Sequence, residues 1–154
     1  MIEKFEGTTE GAGLSIGIAV AHWNQSITDR LLEGALARLE GLGVDDVAVV
    51  HVPGALELPV AARALATRGV NAVIAIGTVV KGDTDHYEVV VRESASGIAR
   101  VAEATGVPVT NAILAVHSFD QAVERAGLDD SNKGAEAAEA AVRTATALRS
   151  LGGG

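Results

Sequence analysis

The chain contains no cysteine, which excludes a disulfide framework, a thiol nucleophile and a thiolate metal site. Aromatic residues are only 3% of it, so the 48% apolar content is mainly Ala, Val, Leu and Ile, suited to close helix-on-sheet packing. Basic residues are also short. The net charge of −8 opposes nucleic-acid phosphates and anionic membrane surfaces, and no Lys/Arg stripe offsets it, so neither is expected as a partner. No stretch approaches the ~18 uninterrupted apolar residues of a membrane span. The first residues lack the basic start and apolar run of a signal peptide, and the expected location is the cytoplasm. There is no internal repeat, linker or low-complexity block.

At 154 residues the chain is expected to form one domain, 1–154, preceded by an arm (1–13) and ending in a flexible glycine tail (152–154). Apolar, β-branched or Ala-rich runs at 14–21, 47–52, 72–80 and 107–116 are bounded by Gly, Pro or Asp and predict strands buried on both faces. Helical spacing occupies 26–43, 57–68, 85–105, 118–126 and 133–151. In the first of these, Ile27, Leu31, Ala35, Leu39 and Leu42 recur every three or four residues, with Ser26 or Thr28 as the cap and glycine at the end. The order β-α-β-α-β-α-β-α-α predicts an α/β, three-layer, flavodoxin-like fold: a central four-stranded parallel sheet with helices on both faces and right-handed crossovers. In such sheets ligands bind beyond the carboxyl ends of the strands. The arm alternates only weakly and reads as a tail or an extra edge strand.

Three segments fall at those strand ends. The stretch GTVVKGDTDHYE (77–88) runs from a strand into a helix. Gly82 permits backbone approach to a ligand, Thr84 offers a hydroxyl, and amides at the helix start suit an anion. Asp83 and Asp85 are either capping residues or negative charges that weaken such a site. His86 falls in the first helical turn, where the helix dipole favours an uncharged ring able to act as a base, although a histidine in such a turn is more often solvated or structural. Neither Gly-rich stretch matches a P-loop or a dinucleotide fingerprint, so ATP and NAD are not supported.

PGALELP (53–59) is either a turn in which Pro59 enters a helix and Glu57 caps it, or a backbone cradle for a flat heterocycle reached through Gly54 and Ala55. Trp23, the only tryptophan, is a stacking platform or a cover over a strand end. Arg125, Asn132 and Lys133 lie in ERAGLDDSNKG, which on its own is a helix end followed by a solvated turn. His22, His51 and His117 have no partners at metal-ligand spacing and read as structural or exposed; no metal is expected.

Taken together, Trp23-Asn24, PGALELP, GTVVKGDTDHY, RAG and NKG resemble, in order and spacing, the motifs of the lumazine synthase family across almost the whole chain. The resemblance implies a cofactor-free transferase. It would condense 5-amino-6-ribitylamino-uracil with 3,4-dihydroxy-2-butanone 4-phosphate to give 6,7-dimethyl-8-ribityllumazine, phosphate and water in riboflavin biosynthesis. It assigns Trp23, Asn24, Gly54, Ala55, Leu56, Glu57, Val79, Val80, Asn111 and Lys133 to the pyrimidine and ribityl chain, and Gly82, Asp83, Thr84 and Arg125 to the phosphate. His86 would be the catalytic proton shuttle. Arg125 would come from an adjacent subunit, Lys133 would lie at the subunit boundary, and the arm would add a strand to a neighbour's sheet.

Family members are pentamers or shells of twelve pentamers, and the turn 127–134 has the length seen in the 60-subunit shells; riboflavin synthase is an implied partner. The chain departs from the usual family pattern at Asp85, at Asn111, where Phe is common, and at Ala115-Val116-His117, which follow Leu114 where threonines are usual. Two alternatives are a degenerate homologue acting as a cage or flavin-binding protein, and an archaeal-type riboflavin synthase.

Overall fold

The computed structural model describes residues 1–152; of the expected tail, 153 and 154 lie outside the described residues. The elements follow in the order β1 (Ser15–Ala21), α1 (Gln25–Gly41), β2 (Asp46–Val52), a 3-10 turn (Ala55–Glu57) and α2 (Leu58–Thr67). Next come β3 (Ala72–Val80), α3 (His86–Thr105), β4 (Val109–Val116), α4 (Phe119–Arg125) and α5 (Lys133–Ser150). All strand pairs are parallel and the sheet order is β2-β1-β3-β4, the flavodoxin-like α/β arrangement expected. No described helix is long and apolar enough to cross a membrane.

Alternation along the strands sorts the core into two halves. Ile16, Ile18, Val20, Ile74 and Ile76 point to the face covered by α1, α4 and α5, through Leu31, Leu39, Ala122, Ala138 and Val142. Ala19, Ala21 and Val73 point to the opposite face, where α2 and α3 contribute Leu58, Ala62, Leu65, Val90 and Val101. Alanine on both sides of these contacts brings helix axes close to the sheet, the packing that a chain poor in aromatics permits.

Two expectations change. Burial on both faces holds for β1 and β3, which lie centrally, but not for β2 and β4. These are the edges, and Val49 of β2 remains 39% exposed because no element flanks that edge. The cap of α1 is neither Ser26 nor Thr28 but Asn24, in the left-handed region at φ 63°, with no side-chain cap bond. Asparagine is among the few non-glycine residues that tolerate that conformation.

Residues 1–8 hold no regular element and join no strand of this chain's sheet. Thr8 N–H donates to Thr146 Oγ1 at 2.8 Å and Gly11 N–H to the Leu42 carbonyl at 2.8 Å, so the second half of the arm lies against α5 and the end of α1. Ile2 and Phe5 stay exposed.

Candidate active site

The strand order reverses between β1 and β3, and the polypeptide leaving their carboxyl ends diverges to opposite sides of the sheet. This is the point at which open α/β sheets form a crevice. Here a hollow of about 170 Å³ is lined by Ala21, Trp23, Asn24, Ala55, Thr78, Val79, Val80, His86 and Val90. Six of the residues singled out from the sequence meet there, from three segments that are far apart along the chain: Trp23, Asn24, Ala55, Val79, Val80 and His86.

Local bonding explains their placement. Beyond the strands, the β1–β2 ladder continues through His22 N–H to the Val52 carbonyl (2.8 Å) and Trp23 N–H to the Pro53 carbonyl (3.1 Å). That continuation sets the indole against the PGALELP turn. A Cβ at Gly54 would lie 3.1 Å from Trp23 Cε3 and 3.3 Å from Cζ3, so the absence of a side chain there lets ring and backbone meet. Trp23 is 66% exposed and is a platform beside the hollow, not a plug over the core. Asn24 Nδ2 donates to the Thr78 carbonyl at 2.8 Å, tying the start of α1 to β3. Glu57 Oε1 accepts from Gly54 N–H at 2.9 Å, which closes the 3-10 turn; Glu57 stands at the N-cap position of α2 but, contrary to expectation, its side chain makes no cap bond to that helix. Leu56, on the same turn, is exposed.

The loop 81–86 is exposed throughout. Gly82 has a negative φ and nothing within 4 Å of a built Cβ, so its surroundings do not require glycine. Thr84 Oγ1 accepts from His86 N–H at 3.4 Å. Asp85 occupies the N-cap position of α3 but makes no side-chain cap bond, so the capping role considered for it is not made. His86 opens α3 and borders the hollow.

The remaining predicted residues are not brought to the hollow within this chain. Arg125, at the end of α4, donates from Nη1 to the Gln121 carbonyl (2.9 Å) of its own helix and lies 3.8 Å from Glu124. Lys133 pairs with Glu136 at 2.9 Å. Asn111 is exposed on edge strand β4, opposite Ala75, and its Oδ1 accepts from Ile113 N–H.

The turn holding NKG is not simply solvated. Asn132 is 1% exposed; its Oδ1 accepts from Ala135 N–H (2.9 Å) to cap α5, and its Nδ2 donates to the Arg30 carbonyl (3.1 Å) of α1. Nearby, hydrogen bonds from the Ser131 hydroxyl and then the Ser131 amide hold the Asp129 carboxyl below its ordinary range. His22 and His51 stack with ring centroids 5.1 Å apart, a pairing that their sequence spacing hid. Among the described residues no group of three or more His, Cys, Asp or Glu side chains is placed to hold a metal ion.

Thr78 escaped the sequence reading. It is 5% exposed, lines the hollow, and its Oγ1 has no hydrogen-bond partner among the described residues. A buried hydroxyl without a partner is costly, and a ligand in the hollow would satisfy it. A polar residue at the end of a β-branched buried strand was the available signal. An aromatic platform, apolar walls, one unsatisfied hydroxyl and an imidazole at the rim of an exposed Gly-Asp-Thr loop suit a flat polar molecule joined to an anionic one. The family described as 6,7-dimethyl-8-ribityllumazine synthase matches residues 13–149, which include every one of these elements, and the chain belongs to that family.

Proposed function

We propose that the chain condenses 5-amino-6-ribitylamino-uracil with 3,4-dihydroxy-2-butanone 4-phosphate, forming 6,7-dimethyl-8-ribityllumazine. The observation that carries this reading is the hollow, where Trp23, the 54–57 turn, the end of β3 and His86 converge within the span that matches the family. The indole stacks on the pyrimidine, Val79 and Val80 line its other side, and the Thr78 hydroxyl finds its missing partner on the ligand. Asn24, Gly54, Ala55, Leu56 and Glu57 hold the polar edge and the ribityl chain. Gly82, Asp83 and Thr84 present the loop to the phosphate.

The ring amine adds to the ketone and loses water to give an imine. Phosphate then leaves, and the ribityl-bearing nitrogen closes the second ring with loss of another water. Each stage moves a proton, and His86 at the rim is the group to move it, a role worth ~10²–10⁴-fold. Holding both reactants together supplies much of the rest. No cofactor is called for.

In this reading Arg125 and Lys133 act from an adjacent copy, since within one chain both are engaged on their own helices. Asn111 reaches a neighbour's substrate from the open edge of β4. The assembly is a pentamer, twelve of which form a 60-subunit shell, with the arm adding a strand to a neighbour's sheet and riboflavin synthase as a companion.

The test is to mix purified protein with both substrates and follow the fluorescent lumazine. No product above the uncatalysed rate would sink the reading. Lumazine supplied alone and converted to riboflavin would replace it with a riboflavin synthase, and tight flavin binding without turnover would replace it with a flavin-binding cage.

A further inference from the structure

Among the described residues, no hydrogen bond joins 82–86 to any element other than α3. The loop is instead held on either side by the end of β4. Before it, Lys81 N–H donates to the Val116 carbonyl at 2.9 Å. After it, the Tyr87 ring meets the His117 ring edge to face, centroids 6.2 Å apart and planes inclined at 74°, within the range of a favourable aromatic pair.

The backbone of His117 is anchored, while its ring is exposed. Its N–H donates to Gln121 Oε1 at 2.8 Å while Ser118 Oγ accepts from Gln121 N–H at 3.3 Å, so it sits directly on the cap of α4. Tyr87 is half-buried and adjoins His86 in the first turn of α3. At its start that turn also has local bonds: the Asp85 carbonyl accepts from Glu88 N–H at 3.1 Å and Val89 N–H at 3.5 Å, and Thr84 Oγ1 accepts from His86 N–H at 3.4 Å.

We infer that His117 is a positioning residue: through its ring contact with Tyr87 it holds the turn that aims His86 into the hollow. The inference rests on the reaction proposed above and gives His117 no contact with substrate. Since the contact is between rings, charge on His117 is not required, and phenylalanine can replace it.

The experiment compares His117→Ala, His117→Phe, Tyr87→Ala and the double alanine variant in steady-state condensation, with hydrogen exchange of residues 82–92 measured alongside. His117→Ala should lower kcat about 2- to 10-fold, the range of one aromatic pair, while KM for each substrate changes less than about twofold. His117→Phe should restore kcat, the double variant should be no slower than Tyr87→Ala alone, and exchange near 82–88 should quicken in the three alanine variants but not in His117→Phe. A phenylalanine variant as slow as the alanine one, or losses that multiply in the double variant, would overturn the inference. If the wild-type protein makes no lumazine, the proposed reaction is what fails. Exchange then decides the contact: unchanged exchange in His117→Ala overturns it, and quickened exchange rescued by Phe upholds it.

Discussion

Gly134→Ala tests whether the NKG segment is held by helix packing or by a ligand. A Cβ on Gly134 would lie 1.9 Å from the Leu31 carbonyl oxygen and 2.7 Å from its carbon, both backbone atoms of α1. Neither can rotate away, so the start of α5 has to lift from α1 by roughly 1 Å or more, an overpacking that costs about 1–3 kcal/mol. The same movement stretches the bond from Asn132 Nδ2 to the Arg30 carbonyl of α1, 3.1 Å, and strains the side chain that also accepts from Ala135 N–H to cap α5. Asn132 is 1% exposed, so water cannot replace the stretched bond, and the loss adds about 1–3 kcal/mol. The sum, about 2–6 kcal/mol, is a large share of the ~5–15 kcal/mol that holds a domain folded. At roughly 2–4 °C per kcal/mol the melting temperature should fall by about 4–24 °C. Thermal and urea unfolding of the purified variant measure this directly. A variant that melts within about 2 °C of wild type while binding its ligands poorly would refute the packing argument.

Three further outcomes follow from the site. Gly82→Ala meets no steric obstacle and should leave stability within about 0.5 kcal/mol, yet weaken the requirement-setting contact with the phosphorylated substrate; an unchanged KM for that substrate removes Gly82 from the phosphate site. Thr78→Val deletes an unsatisfied buried hydroxyl, so it should raise stability by up to about 1 kcal/mol while weakening pyrimidine affinity roughly 2- to 10-fold, and calorimetry showing undiminished binding would end the proposed role. His86→Ala, a change at an exposed position, should melt like wild type but slow condensation by ~10²–10⁴-fold with pyrimidine binding largely retained; a wild-type rate would strip His86 of its task.

Much of the architecture was legible because its signals are local. Ile27, Leu31, Ala35 and Leu39 recur at helical spacing and are all buried. The β-branched runs became strands within two residues of the expected bounds, and their alternation with helices required a parallel sheet. The site was partly legible for the same reason: residues just beyond β1 and β3 must lie at the crevice of such a sheet. Other features were not. Asn132 seemed a turn residue because its partner, the Arg30 carbonyl, lies 102 positions away. Asn24 displaced Ser26 and Thr28 as the cap because its amide is held by the Thr78 carbonyl, 54 positions on.

The sequence by itself determined the element order, the parallel sheet and which segments border the crevice, since hydrophobic period, turn residues and crossover handedness act over short stretches of chain. Only the tertiary structure decided that Gly54 makes room for Trp23, that Thr78 is left without a partner, and that His117 faces Tyr87. Each of these depends on the distance between atoms from separate elements, and that distance is set only when the helices close on the sheet.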